Sequence, residues 1–308
     1  MGFDVDTTTD EVVAGLDLAG KTIVVTGATS GLGKESARAL ASTGAEVVLC
    51  GRDDAKGQAV VDEIGGATSF QHVDLADLDS VRTAADELLA RIERLDVLLN
   101  NAGVMACPLA RTADGFEMQF GTNHLGHFLF TARLFPLLAQ SVPSRIVNLS
   151  SHGHMIGGVD LDDPNYEHRP YDKWEAYGQA KTANVLFSRE LDRRFGDHDV
   201  HAYAVHPGMI ITELGRHLDE ADIADIGERT SKRPAGGPSS TFKPVERGAA
   251  TQVWAATGDG IPGGAYLADA AVCEQVAPHA TDDDVAARLW ALSEDLVGEP
   301  FPSWPGAD

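Results

Sequence analysis

Tyr177 and Lys181 are the pair of side chains in this sequence best suited to acid–base chemistry. They lie four residues apart within Trp174–Phe195, a stretch whose pattern predicts a helix, so both side chains share one helix face. A free phenol has a pKa of about 10, and a nearby ammonium favours the phenolate and lowers that value. We therefore expect Tyr177 to have a lowered pKa and to exchange a proton with a substrate oxygen. The spacing alone is also that of an ordinary packed pair on a helix.

A glycine-rich turn follows the first predicted strand. Gly27, Gly31 and Gly33 have the spacing G-x3-G-x-G, and a helix is predicted to begin within the turn. Glycine lets the backbone bend sharply and approach a pyrophosphate, and the N–H groups at the start of the helix then face the anion. The strand before the turn and the helix after it are the context that distinguishes a phosphate site from a simple glycine-rich turn. The sequence therefore predicts a dinucleotide-binding turn.

The end of the second predicted strand bears on the choice of nucleotide. An acidic residue at that strand tip would bind both ribose hydroxyls and prefer NAD(H). Here Gly51 leaves space and the guanidinium of Arg52 provides a fork for a 2′-phosphate, which favours NADP(H) while NAD(H) stays possible. Lys34, just past the glycine turn, could add positive charge. Arg52 could instead be solvated, and Asp53 could cap the next helix.

Short apolar runs alternate with longer helical patterns along the chain. The predicted strands are Thr22–Thr26, Glu46–Cys50, Thr68–Val73, Asp96–Asn100, Arg145–Leu149, Val200–Val205 and Ala265–Leu267. The predicted helices are Leu32–Thr43, Asp54–Ile64, Leu78–Glu93, Gly115–Leu138, Trp174–Phe195 and Asp282–Val297, the last with Thr281 as its N-cap. This alternation predicts an α/β fold: a single Rossmann-type, doubly wound parallel β-sheet of about seven strands, flanked by helices on both faces. Residues 1–308 are expected to form one NAD(P)-binding Rossmann domain.

Two segments depart from this rhythm. Residues near 152–176 form an insert, interpreted as a substrate loop, and the segment near 213–244 is either a substrate lid or a mobile surface loop with one helix. Several side chains are candidates for the substrate mouth, although residues of these types more often belong to a core: His152, His154, Met155, Tyr171, Trp174 and Met209.

Composition limits the classes of partner. The 24 Lys and Arg against 47 Asp and Glu give a net charge of −23, which disfavours nucleic-acid binding. The three cysteines form no CxxC and the eleven histidines no HExxH, so neither a disulfide framework nor a metal site is expected. The N-terminus has no signal-peptide pattern and no apolar run is long enough to span a bilayer. We therefore expect a cytoplasmic protein with no membrane attachment.

Six motifs occur in the order typical of the short-chain dehydrogenase/reductase (SDR) family, which the chain resembles from about residue 20 to 268. They are the glycine turn, Asn100-Asn101-Ala102-Gly103, Asn123, Ser150-Ser151, the Y-x3-K of Tyr177 and Lys181, and His206-Pro207-Gly208 followed by Thr212. The interval between Ser151 and Tyr177 is longer than is usual in the family. This extension resembles the retinol-dehydrogenase-like or WW-domain-oxidoreductase-like branch. The resemblance does not define which residues form the wall of the substrate pocket.

The resemblance implies roles for individual residues. Tyr177 would be the acid/base, and Ser151, rather than Ser150, would polarise the substrate carbonyl. Lys181 would hold the cofactor ribose, and Asn123 would support a relay water and complete the catalytic set. The implied cofactor-binding residues are Gly27, Thr29, Ser30, Gly31, Leu32, Gly33, Arg52, Asp74, Leu75, Asn101, Ala102, Gly103, Tyr177, Lys181, Pro207, Gly208 and Thr212. Asp74 would contact the adenine amine, a role compatible with capping a helix.

The resemblance also implies an activity. It points to an NAD(P)(H)-dependent oxidoreductase that interconverts a carbonyl and a secondary or primary alcohol by hydride transfer, acting on a small apolar substrate such as a ketone, aldehyde, retinoid-like or steroid-like molecule. The alternative is a catalytically silent NADP-binding redox sensor or interaction module, whose sequence would be expected to have a damaged Tyr, Lys or Ser. Family members associate through the two longest helices, here Gly115–Leu138 and Trp174–Phe195. Because the branch also contains monomers, the resemblance is compatible with either a monomer or a homo-oligomer.

Overall fold

The computed structural model describes residues 2–210, 213–215, 218, 222 and 242–306. The strands are β1 (Thr22–Thr26), β2 (Glu46–Gly51), β3 (Thr68–His72), β4 (Val97–Asn100), β5 (Ser144–Leu149), β6 (Val200–His206), β7 (Met209–Ile210), β8 (Phe242–Lys243), β9 (Tyr266–Ala268) and β10 (Ala271–Val272). The helices are α1 (Thr9–Val13), α2 (Gly31–Ala41), α3 (Asp54–Ile64), α4 (Leu78–Arg91), α5 (Met118–Phe120), α6 (Gly126–Gln140), α7 (Lys173–Phe195), α8 (Val245–Thr257) and α9 (Asp283–Val297). Thr212 and most of the segment near 213–244 lie outside the described residues, so the lid hypothesis stays a prediction.

The main sheet confirms the predicted doubly wound topology. Its eight strands have the order β10-β9-β6-β5-β4-β1-β2-β3, and every pair is parallel except β9 with β10. The seven predicted strands form the parallel part, with ends that differ by at most one residue from those expected, and β10 is an addition. The strand order reverses between β1 and β4, and in such sheets ligands bind beyond the carboxyl ends of the strands at that point.

Helices cover both faces of the sheet, which explains the apolar strands. β1 and β4 are buried along their whole length. On one face Leu40 of α2 and Val253 of α8 belong to the buried cluster, and on the other face Leu88 of α4, Phe135 of α6 and Leu186 of α7 do so. No helix among the described residues combines the length and apolar character needed to cross a bilayer.

Side-chain carboxylates set where several helices begin. Asp53 caps α3, Asp77 caps α4 and Asp172 caps α7, each by accepting backbone N–H groups of the first turn. Asp282 caps α9 in the same way, so the predicted N-cap at Thr281 is wrong by one residue. The Thr281 hydroxyl instead donates to the carbonyl oxygen of Pro278 at 3.0 Å.

The helix predicted from Gly115 begins three residues later, at Met118. The buried carboxylate of Glu117 accepts the N–H groups of Gln119 at 3.0 Å and Phe120 at 2.7 Å, and these bonds define the start of α5. A π-helical turn, Gly121–Leu125, then separates α5 from α6. Turns of this type are frequent at functional sites, and this one contains Asn123.

α9 covers the pair of helices, α6 and α7, that correspond to the longest predicted ones. The Trp290 ring lies 5.3 Å from Phe128, 5.9 Å from Phe187 and 6.4 Å from Phe195, measured between centroids. Phe301 stacks 5.7 Å from Phe195. The aromatic faces of both helices are therefore buried within one chain.

β7 and β8 form a separate parallel ladder beside the end of β6. Met209 pairs with Phe242, and Ile210 pairs with Lys243. The two ends of the intervening stretch, residues 211–241, are consequently held side by side.

Candidate active site

The glycine turn joins β1 to α2 at the carboxyl edge of the sheet. Close packing requires glycine at position 33, because a Cβ there would lie 2.4 Å from both the carbonyl oxygen of Gly27 and Nδ2 of Asn101. α2 has no acidic residue in its first turn, as is also the case for α5 and α6, whereas the other six helices among the described residues each have at least one. The positive end of the α2 dipole therefore has no carboxylate in the first turn to oppose an anion, and anion binding there stays a prediction.

An open cleft of about 330 Å³ runs past this turn. Twelve of the predicted cofactor-binding residues line it: Gly27, Thr29, Ser30, Gly31, Leu32, Gly33, Arg52, Asp74, Leu75, Asn101, Ala102 and Gly103. Sequence reasoning missed a further set of lining residues: Lys56, Val73, Val104, Thr122, Leu149 and Leu214. The structure therefore brings the glycine turn, the residues after β2 and β3, and the segment after β4 into one cleft, and its binding of a nucleotide stays a prediction. The predicted cofactor-binding residues Tyr177, Lys181, Pro207 and Gly208 are not among its lining residues.

Two cations line the cleft near the tip of β2. Arg52 is exposed, and Lys56 lies in the first turn of α3. The Asp53 carboxylate accepts the N–H of Lys56 at 3.0 Å, so the helix-capping alternative for Asp53 is confirmed. Lys34 is not among the lining residues of the cleft, and its ammonium is paired with Glu63 at 2.7 Å. A cation in the first turn after the β2 tip is the signal that could have identified Lys56.

Asp74 lines the cleft without capping a helix. Its Oδ1 accepts the N–H of Ala76 at 3.0 Å, within a turn that precedes α4. The cap of α4 is Asp77, whose carboxylate accepts the N–H groups of Asp79 at 2.9 Å and Ser80 at 3.2 Å. The capping role considered for Asp74 is therefore wrong, and its adenine contact stays a prediction.

Thr26 joins the end of β1 to the segment after β4. Its Oγ1 accepts the N–H groups of Asn101 at 2.9 Å and Ala102 at 3.0 Å, and Asn101 Nδ2 donates to the Thr26 carbonyl oxygen at 2.8 Å. These bonds fix the Asn-Asn-Ala-Gly motif as one wall of the cleft.

Asn123 is fully buried and holds the chain that follows Gly103. Its Oδ1 accepts the N–H of Val104 at 2.8 Å, and its Nδ2 donates to the Val104 carbonyl oxygen at 2.9 Å. The Asn123 carbonyl oxygen accepts from His127 Nδ1 at 3.0 Å, and His127 Nε2 lies 2.8 Å from Thr26 Oγ1. Burial lowers the pKa of His127 to about 4, so this link is made by a neutral ring. The relay water expected at Asn123 stays a prediction.

The two serines after β5 have different surroundings. The Ser151 Oγ accepts the N–H of Gly153 at 3.0 Å, which leaves its hydroxyl proton for another acceptor. Ser151 also hydrogen-bonds the phenol of Tyr177. Ser150 is buried and donates its hydroxyl to the carbonyl oxygen of Lys181 at 2.8 Å. These contacts favour Ser151 as the reactive serine.

Tyr177 and Lys181 are both buried on α7. The Lys181 ammonium lies 5.7 Å from the centroid of the Tyr177 ring and donates to the Leu149 carbonyl oxygen at 2.8 Å. Burial raises the pKa of Tyr177 to about 12, against an opposing effect of the hydrogen bond with Ser151, and burial lowers the pKa of Lys181 to about 7. The expected lowering of the Tyr177 pKa is therefore wrong for the protein chain alone, because lost hydration outweighs the nearby amine.

The turn after β6 contains Pro207 and Gly208. Gly208 has φ 96°, in the region that favours glycine, and a Cβ there would lie 3.2 Å from Cδ of Lys243. The Lys243 ammonium forms a buried ion pair with Asp269, and this pair holds the Lys243 side chain against the turn at Gly208. Contact of Pro207 and Gly208 with a nicotinamide stays a prediction, and Thr212 lies outside the described residues.

The insert near 152–176 is fastened to the helix that carries Tyr177. Gln179 Oε1 accepts the N–H of Asp160 at 3.1 Å, and Gln179 Nε2 donates to the Pro164 carbonyl oxygen at 2.8 Å. Thr182 Oγ1 donates to the Gly157 carbonyl oxygen at 2.7 Å. The insert is thus anchored on α7, and its role as a substrate loop stays a prediction.

Two residues proposed for the substrate mouth have other surroundings. His154 is completely buried, so its assignment to a solvent-accessible mouth is wrong. The Tyr171 hydroxyl lies 3.0 Å from the Cys107 carbonyl oxygen and 3.1 Å from Oε1 of Glu117, and so ties the insert to the start of α5. Within the described part of the chain, no group of three or more His, Cys, Asp and Glu side chains could hold a metal ion.

Comparisons with known proteins agree with this geometry. The family model for short chain dehydrogenase matches residues 21–222. Retinol dehydrogenase 13 from Homo sapiens is 43% identical over 295 residues, which cover 93% of this chain and 87% of that protein. The crystal structure of an uncharacterized protein from Mycobacterium paratuberculosis has a TM-score of 0.76 at 37% identity and covers 98% of this chain and 100% of its own. The RhlG/NADP complex from Pseudomonas aeruginosa has a TM-score of 0.63 at 25% identity and covers 82% of this chain and 95% of its own.

Proposed function

This chain belongs to the short-chain dehydrogenase/reductase family of NAD(P)-dependent oxidoreductases, in its retinol-dehydrogenase-like branch, and we propose that it interconverts an apolar carbonyl compound and its alcohol. The observation that carries the proposal is the convergence of Tyr177, Ser151 and Lys181 next to the nucleotide cleft. Lys181 and Gly103 join the two sites, because a Cβ placed on Gly103, which lines the cleft, would lie 3.7 Å from the Lys181 ammonium.

The cleft fits a nicotinamide dinucleotide. The acid-free start of α2 suits a pyrophosphate, and the close approach at Gly33 keeps side chains out of the turn. Arg52 and Lys56 provide two positive charges for a 2′-phosphate, so we propose a preference for NADP(H) over NAD(H). When bound, the nicotinamide would donate or accept the hydride.

The chain's own groups handle the proton and the substrate oxygen. With a pKa of about 12, Tyr177 is a neutral phenol at pH 7, which is the form that donates a proton to the oxygen of a carbonyl during reduction. The Ser151 hydroxyl donates a hydrogen bond to the same oxygen and stabilises the negative charge that develops on it. Lys181 places its amine beside the phenolate that remains, and its protonated form stabilises that anion. Oxidation of the alcohol runs through the same groups with the proton moving back to Tyr177.

The substrate class follows from the apolar lining and from the relatives. Three apolar side chains, Val104, Leu149 and Leu214, are among the lining residues of the cleft. A relative at 43% identity is named a retinol dehydrogenase. We therefore propose a retinoid-like aldehyde or ketone, or the corresponding alcohol, as the substrate class.

The test is turnover by the purified protein with NADPH and with NADH, followed at 340 nm with all-trans-retinal and a panel of apolar ketones. We expect Tyr177→Phe to lower kcat by roughly 10²- to 10⁴-fold, because the proton donor is lost. The matched control is Tyr203→Phe, which removes a buried hydroxyl that lies 3.5 Å from the Ile261 carbonyl oxygen and outside the site, and it should retain activity. Equal rates for wild type and Tyr177→Phe would contradict the mechanism. Tight nucleotide binding with no turnover of any substrate would favour the silent redox sensor.

A further inference from the structure

His154 makes a double contact with the main chain of Ser151. It lies in the 3-10 turn His152–Met155 that directly follows the serine, and its side chain is completely buried. The Ser151 carbonyl oxygen lies 2.7 Å from His154 Nδ1 and 3.1 Å from the His154 backbone nitrogen. A carbonyl oxygen only accepts hydrogen bonds, so Nδ1 carries the ring proton.

The other ring nitrogen faces a second donor. The backbone N–H of Ala277 donates to His154 Nε2 at 3.2 Å, so Nε2 is the unprotonated nitrogen and the ring is neutral. Burial lowers the pKa of His154, which is consistent with this state. The surrounding groups hold the ring in place: the Tyr266 ring lies 4.8 Å away, and the His154 carbonyl oxygen accepts from His279 Nε2 at 2.8 Å and from Thr182 Oγ1 at 3.1 Å.

The segment fixed in this way contacts the Ser151 hydroxyl and the ring of Tyr177. Gly153 donates its N–H to Ser151 Oγ, and a Cβ on Gly153 would lie 2.7 Å from Cε1 of Tyr177, so the backbone lies directly against the phenol ring. A small displacement of this turn would move the Ser151 hydroxyl relative to the Tyr177 oxygen. Reactions of positioned groups are sensitive to such displacements, and an error of 1 Å can cost about 100-fold in rate.

We propose that His154 is a positioning residue that sets the place of the Ser151 hydroxyl by clamping the Ser151 carbonyl oxygen to the segment around Ala277. This inference rests on the proposed function, because it assigns a source of precision to that reaction. The segment Pro278–Ala280 is more than 120 residues away along the chain, and it thereby becomes part of the framework of the catalytic serine. Neither the spacing of the catalytic motifs nor the family relationship assigns this positioning role to His154.

The experiment separates the two hydrogen bonds of the ring. In His154→Asn the amide nitrogen takes the place of Nδ1 and keeps the bond to Ser151, whereas in His154→Gln the amide oxygen takes the place of Nε2 and keeps only the bond from Ala277. Each variant loses one neutral hydrogen bond, so similar changes in Tm are expected. We expect kcat to fall by roughly 10- to 100-fold in His154→Gln and to stay near the wild-type value in His154→Asn, with the KM for the nucleotide unchanged in both.

Equal values of kcat in the two variants would overturn the proposal, because they would show that the Ser151 contact does not matter for the reaction. A measurement on the wild-type protein covers variants that fail to fold: ¹⁵N NMR of the histidine rings should show His154 as the neutral Nδ1–H tautomer, and an Nε2–H tautomer or an imidazolium at pH 7 would contradict the clamp. Failure of the proposed function would look different. In that case the wild-type protein would have no turnover that depends on Tyr177, while the tautomer would still report the Ser151 contact.

Discussion

The amine of Lys181 lies 5.7 Å from the centre of the Tyr177 ring and directs its hydrogen bond to the Leu149 carbonyl oxygen. Both side chains are buried, Tyr177 at 5% and Lys181 at 3% exposed. Burial opposes charge on both of them, raising the pKa of the phenol and lowering that of the amine. The buried amine carries a cost that should be visible in the stability of the protein.

We expect Lys181→Met to change how stability depends on pH. The pKa of Lys181 is lowered to about 7 in the folded state from 10.5, so between these values the unfolded state binds more protons than the folded state. The free energy of unfolding of the wild type should accordingly rise with pH, relative to the variant, by up to about 1.4 kcal/mol per pH unit between pH 7 and 9.5. The Leu149 carbonyl oxygen keeps a partner in the variant, because Asn184 Nδ2 also donates to it at 3.0 Å.

Urea unfolding of the nucleotide-free proteins at several pH values measures this difference. The control is Lys34→Met, which removes an ammonium that is paired with Glu63 at the surface and leaves Lys181 in place. If the stabilities of Lys181→Met and wild type change in parallel from pH 7 to 9.5, the lowered pKa of Lys181 is refuted.

A methyl group at position 33 should disturb the glycine turn. The Cβ in Gly33→Ala would lie 2.4 Å from the Gly27 carbonyl oxygen, so the turn must move, and overpacking of this kind costs about 1–3 kcal/mol. We expect a lower Tm and a large loss of nucleotide affinity, measured by titration calorimetry with NADPH. The control is Gly157→Ala, which would place its Cβ where no atom lies within 4 Å and should resemble the wild type. Unchanged affinity in Gly33→Ala would show that the turn does not form the phosphate site.

Arg52→Ala should alter the choice of nucleotide. A hydrogen bond to a charged group contributes about 1.5–3 kcal/mol, so the KM for NADPH should rise by roughly 10- to 100-fold while the KM for NADH changes little. Lys34→Ala is the control, because the ammonium of Lys34 is engaged by Glu63 and should affect neither nucleotide. An equal rise for both nucleotides would argue that Arg52 does not read the 2′-phosphate.

Trp290→Ala should destabilise the protein strongly. Trp290 is 3% exposed and contacts Phe128, Phe187 and Phe195, so its truncation leaves a cavity between α9 and the helices beneath it. We expect a loss of about 3–5 kcal/mol in the free energy of unfolding, measured with urea. Trp304→Ala, at a partly buried ring stacked 4.2 Å from His198, should cost clearly less. Similar losses for the two variants would mean that α9 does not complete the aromatic core.

The sequence was a good guide wherever local pattern decides structure. The strand patterns predicted all seven parallel strands of the main sheet. Several of these are apolar because helices cover both faces, and the glycine turn identified one wall of the cleft. The pattern failed where distant residues decide. Glu117 shortens the helix expected from Gly115, and the segment around Ala277 buries His154, yet no periodicity contains this information. The expectation of a lowered pKa for Tyr177 was wrong for the same reason, because the burial that raises this pKa depends on the assembled fold.

The ladder of Met209–Ile210 with Phe242–Lys243 has a consequence for how this architecture can diversify. Met209–Ile210 and Phe242–Lys243, which flank residues 211–241, lie next to each other. A connecting segment of any length must therefore span the same short distance between β7 and β8. Doubling the length of such a connection adds only about 0.6 kcal/mol of closure entropy. Changes in the length of the chain between β7 and β8 therefore need not disturb the main sheet.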